Sequence, residues 1–232
     1  MINLRRFYEN HFDTKNIGDD RLRKFTADHI QRLVSNDTAG KYEALKVEVS
    51  TAYDDYFGAI TTEDISFSEQ QALTLSKNQT LIDFIELVRQ KEGLVRGTWG
   101  KQSPEYKEFF PSGIGEYSKA NLSTVENLMK RMITVATKHK DELGQPFLDL
   151  FTNVHSDFVR IREQQLQKFG TVSTSKQTTR AKRDVLTEQL MKNLLTIAVD
   201  SIGEPRRLSE YFDQSIVRRS SRESVSQSQV EG

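Results

Sequence analysis

The sequence predicts an all-α protein arranged as two tandem helical bundles of three long helices and one short helix each. Apolar residues recur at i, i+3/i+4 and i+7 in one segment after another, the spacing that gives a helix one buried face. Alternating, strand-like patterns are nearly absent. Glycine and proline are sparse, 12 and 4 of 232 residues, while Leu, Lys, Glu and Gln are abundant, which favours helices.

Leu22, Phe25, His29 or Ile30, and Leu33 mark a first helix, and Leu45, Val49, Ala52, Tyr56 and Ile60 a second. A third is expected to begin at Ser66-Phe67-Ser68-Glu69, a capping-box pattern in which a hydroxyl and a carboxylate satisfy free backbone amides. Its apolar face includes Leu81, Phe84, Val88 and Val95. Gly97 to Lys101 reads as a turn, and Ser103-Pro104 supplies a cap and a preset first-turn residue for a short helix ending near Phe109-Phe110-Pro111. The stretch from Pro111 to Gly115 is the expected joint between the bundles.

The second half repeats the plan. Ser123-Thr124-Val125-Glu126 is another capping-box pattern, followed by Leu128, Met132 and Ala136 on one face, and Gly144-Gln145-Pro146 stops that helix. Phe147, Phe151, Val154, Phe158 and Ile161 define a helix up to Gly170. Val185, Leu186, Leu190, Leu194 and Ile197 define another up to Gly203, and Glu204-Pro205 opens a last short helix through Phe212. A shift of 102 residues pairs Asp55-Tyr56-Phe57 with Asp157-Phe158-Val159, Phe109-Phe110 with Tyr211-Phe212, and Ile114 with Ile216. At 99, Ser76 to Thr80 meets Ser175 to Thr179. Tandem duplication accounts for these matches, and so does shared composition between two helical bundles of equal length. The expected domains are 1–112, 113–216 and a polar tail, 217–232, too poor in apolar surface to order itself.

With no cysteine, disulfides, thiolate nucleophiles and thiolate-held metals are excluded. The start, MINLRRFYENHF, lacks the apolar run of a secretory peptide, and no segment approaches the roughly 18 apolar residues of a membrane span, so a cytoplasmic location is expected. The sequence points to no catalytic residue, no metal and no cofactor. Glu-x-x-His, the signature of helical carboxylate-bridged metal sites, does not occur, and His139-x-x-Glu142 reads as a solvated helix end. Gly97-Thr98-Trp99-Gly100-Lys101 lacks the spacing of a phosphate loop. Trp99, the single tryptophan, is a candidate partner anchor, against the plainer role of packing onto its own bundle.

Net charge is zero, 33 basic against 33 acidic residues, but the charges are uneven along the chain. Positions 43 to 92 carry 10 acids and 4 bases, whereas Arg160, Arg162, Lys168, Lys176, Arg180, Lys182 and Arg183 accompany the single acid Glu163 around an expected hairpin turn. Such a patch can neutralise phosphates or an acidic protein surface, or simply be solvated. The expected role is therefore a non-enzymatic interaction or structural protein, a subunit of a larger assembly, with a protein partner or self-association through patches of opposite sign and no membrane. Nucleic-acid binding through the basic hairpin is the alternative. An enzyme with a site between the bundles, using His155 or Asp55, is the second.

Overall fold

A computed structural model describes residues 9–217. The polar tail expected at 217–232 lies outside the described residues from position 218 on. The described chain is all-α and contains no strand. Its helices are α1 (Asp19–Asn36), α2 (Glu43–Trp99), α3 (Pro104–Phe109), α4 (Gly115–Ser118), α5 (Val125–Lys138), α6 (Lys140–Leu143), α7 (Gln145–Asp200) and α8 (Pro205–Tyr211).

Two of the expected helix breaks do not occur. Helix α2 runs unbroken for 57 residues through Ser66, and α7 for 56 residues through Gly170, so the basic segment 160–183 lies on one continuous helix and not around a hairpin. The reason is local. Neither site has a proline, Ser66 is buried within its helix, and a lone helical glycine costs only about 1 kcal/mol relative to alanine, which a long packed helix absorbs. The capping box at Ser123 is also replaced: the side chain of Asn121 accepts from the amides of Ser123 and Thr124 at 2.9 and 3.2 Å, while Glu126 holds Lys130 at 2.7 Å. Ser103 caps α3 as its sequence predicts, accepting from the Tyr106 amide at 3.0 Å. Gly144, at φ 82°, takes the left-handed turn that separates α6 from α7.

Two compact units result, and they divide the chain differently from 1–112 and 113–216. One takes in Met1–Asp64 and Thr174–Gly232, the other Ile65–Ser173. The division follows from the unbroken helices: each contributes one end to each unit.

The first unit packs Leu22, Phe25 and Leu33 of α1 against Leu45, Val49 and Tyr56 of α2, Leu186, Leu190 and Ile197 of α7, and Tyr211 and Phe212. Within this apolar core, His29 is fully buried. Its Nδ1 donates to the Tyr211 carbonyl at 2.9 Å, its Nε2 accepts from the Asn193 side-chain amide at 3.0 Å, and the Phe212 ring stacks on it at 4.2 Å. Arg32 and Asn36 reach the last carbonyls of α8, with Asn36 donating to Glu210 at 2.7 Å.

The second unit is more aromatic. Phe84, Phe109, Phe110, Tyr117, Phe147, Phe151 and Phe158 surround Met129 and Met132 of α5. The Tyr117 hydroxyl donates to the Phe109 carbonyl at 2.7 Å, which ties α4 to the end of α3.

Buried positions recur between the two halves. The five buried residues of α1 (Leu22, Phe25, Thr26, His29, Leu33) fall on the five of α5 (Val125, Leu128, Met129, Met132, Ala136) at a shift of 103. At 102, Val49 falls on Phe151, Tyr56 on Phe158, Phe84 on Leu186, Val88 on Leu190, Val95 on Ile197, and Phe109-Phe110 on Tyr211-Phe212; all are buried.

Candidate interaction surface

Residues on one helix turn by about 100° per position, so the seven cations between Arg160 and Arg183 spread over about 200° of the circumference of α7. Five have a carboxylate partner. Arg160 pairs with Asp157 at 2.9 Å, Lys182 with Asp55 at 2.5 Å, Arg162 with Glu126, Lys168 with Glu69, and Arg183 with Asp19. Lys176 also has a partner, and Arg180, which is exposed, makes no ion pair among the described residues. Arg183 is the most enclosed: it also donates to the Ile17 carbonyl at 2.6 Å and to the Tyr56 hydroxyl at 3.1 Å. Burial, and next the hydrogen bond to Asp19, push that hydroxyl up to about 12, so it stays protonated as a donor.

The acidic stretch of α2 supplies two of these five partners, Asp55 and Glu69. Glu48 accepts from Lys192 at 2.5 Å and from Gln189 at 2.9 Å, and the Lys192 bond holds its carboxyl below the ordinary range. Between the ionic pairs, buried Gln165 accepts from Lys77 at 2.6 Å and donates to Thr74 at 2.7 Å. Opposite charges that are far apart in sequence meet within each unit, an arrangement that no linear count reveals.

Trp99 ends α2 half-buried. Its ring stacks on Phe109 at 6.2 Å and meets the edge of His139 at 5.0 Å, so it packs on the second unit's core. Asp55 is taken by Lys182, and half-buried His155 carries a buried Nε2 with no hydrogen-bond partner. Among the described residues, no three His, Asp or Glu side chains gather as a metal-ligand group, and no helix is long and apolar enough to cross a membrane.

The feature sequence reading missed is an exposed apolar strip at the carboxyl end of α7 in the first unit. Leu195, Val199 and Ile202 are 45%, 66% and 83% exposed and follow one another at spacings of four and three. At its amino side lies an open groove of about 730 Å³, floored by Met191 and Leu195 and edged by Asp13, Arg180, Asp184 and Glu188. None of these four charged residues has an ion-pair partner among the described residues. A signal was present: Leu195, Val199 and Ile202 recur at helical spacing on the side opposite the buried stripe of Leu186, Leu190 and Ile197. Val185, expected in the buried stripe, is 52% exposed, because it lies one position ahead of Leu186 and so turns away from the core.

Comparison of the chain with family models, with characterised proteins and with solved structures finds no match.

Proposed function

We propose that this chain is a non-enzymatic helical interaction protein, a subunit that docks a protein partner on the exposed strip at the end of α7. The observation that carries the reading is the strip itself. Three large apolar side chains left in water along the last turns of α7 and the turn that follows represent unused hydrophobic free energy, roughly 25 cal/mol for each Å² a partner covers. The unpaired charges of the adjoining groove offer a polar rim, as docking faces commonly have. The basic segment supports a nucleic-acid reading less well, because most of its cations are already held by carboxylates.

We also infer that the halves are repeats of one ancestral unit of about 102 residues, with each compact unit combining the first part of one repeat with the second part of the other. The recurrence of buried positions over α1/α5, α2/α7 and α3/α8 supports this reading.

The docking reading is tested by replacing Leu195, Val199 and Ile202 together with Gln. Because all three are exposed, the helical circular dichroism and melting temperature should be retained. The wild type is expected to sediment above 26.7 kDa, or to form cross-links that map to the strip, and the variant to do neither. Identical masses and cross-link maps for the two proteins would remove the reading.

A further inference from the structure

Helix α8 is held to α1 by a chain of hydrogen bonds whose polarity is fixed from one end. Glu48 is an acceptor only, so Gln189 must donate to it, at 2.9 Å. The same Gln189 amide donates to the side-chain oxygen of Asn193 at 2.9 Å, which leaves the Asn193 nitrogen to donate to His29 Nε2 at 3.0 Å and to face the Leu45 carbonyl at 3.4 Å. His29 therefore carries its single proton on Nδ1 and donates it to the Tyr211 carbonyl at 2.9 Å. Both ring nitrogens are committed, and the stacked Phe212 ring closes one face.

A second proton on this imidazole has no acceptor. Placed on Nε2, it points at the Asn193 nitrogen, itself a donor. Turning the Asn193 amide over would offer His29 an oxygen, but it would set two donors against each other at Gln189. Nor is a compensating carboxylate free nearby. On α1, Asp28 is held by Arg32 at 2.6 Å; on α2, Glu48 is held by Lys192 of α7 at 2.5 Å; beyond α8, Asp213 lies 3.6 Å from Arg32. Tyr42 and Tyr211 add aromatic rings that meet edge to face. The position has a counterpart that shows what packing alone requires: Met132, the matching buried residue of α5, fills its place in the second unit with no titratable group.

We propose that His29, Asn193 and Tyr211 form an acid-operated latch: protonation of His29 turns its hydrogen bond from Asn193 into a clash of two donors, and the charged imidazole leaves the core, which frees α8 and Phe212 from α1 while the second unit stays folded. Burial supports the device, since it lowers the His29 imidazole to about 4, so the latch is closed at neutral pH.

The test is amide hydrogen exchange of the full chain from pH 8 to pH 4.5, corrected for intrinsic rates. In the wild type, protection of Leu208 to Phe212 is expected to fall by roughly 30-fold between pH 8 and pH 5, while that of Leu128 to Ala136 in α5 holds. His29→Met, which copies the counterpart, should abolish the pH-dependent loss. Should that variant fail to fold, the imidazole resonances of wild-type His29 give the answer directly, and they should shift together with the loss of protection. Protection that does not change with pH, that falls equally in α5, or that still falls in His29→Met overturns the proposal.

Discussion

Lys182 and Asp55 stand 127 residues apart in sequence, yet Nζ of one lies 2.5 Å from Oδ2 of the other, joining α7 to α2 within the first unit. This pair, with Lys168–Glu69 and Arg162–Glu126, turns a basic run into a largely neutral surface. Replacing Asp55, Glu69 and Glu126 with the corresponding amides would release four cations, Lys182, Lys168, Arg162 and Lys130. The triple variant should elute from a heparin column at higher salt than the wild type; equal elution would show that the pairs do not form in solution. Because the pairs are solvent-exposed, the cost in stability should stay below about 1 kcal/mol for each.

Gly170 sits in the interior of α7, and a Cβ built there meets nothing within 4 Å. Gly170→Ala should therefore stabilise the chain by about 0.5 to 1 kcal/mol and raise the melting temperature. A hairpin turn at this position would give the opposite sign, so a lowered melting temperature would argue against the continuous helix.

Cutting the chain between Ser112 and Gly113 separates pieces of both compact units. Neither fragment, 1–112 or 113–232, then holds a whole core. Helical circular dichroism of the two fragments mixed should exceed the sum of the separate spectra. Two fragments that each fold fully alone would instead favour self-contained tandem bundles.

His29 also links stability to pH. Its folded value, about 4, lies below the ordinary 6.5, so the unfolded chain takes the proton more readily. The stabilisation is complete above pH 6.5 and is lost as the pH falls towards about 4. By pH 5 the loss is about 2 kcal/mol. Urea unfolding at pH 8 and pH 5 measures it, and His29→Met should remove this part of the difference, leaving what the carboxylates contribute.

Local spacing made the helices legible. The faces of α1 and α5 were readable because Leu22 to Leu33 and Val125 to Ala136 recur with the helical period, and the Ser103 cap because its partner amide is three residues away. The breaks at Ser66 and Gly170 were overread, since a capping pattern or a glycine permits a helix end without requiring one. The strip of Leu195, Val199 and Ile202 is not legible as surface from spacing alone, because α7 carries apolar stripes on opposite sides and periodicity does not say which of them faces water.

By itself the sequence determined that the chain is helical, which faces are apolar, and that no cysteine chemistry occurs, because each depends on residue type and on neighbours within a few positions. Only the tertiary structure decided that 1–64 joins 174–232, that four cations of the basic run meet acids some 35 to 165 residues away, and that His29 is committed at both nitrogens. Those outcomes depend on which distant surfaces come together as apolar area is buried, and a helical period fixes the face a helix offers without fixing its partner.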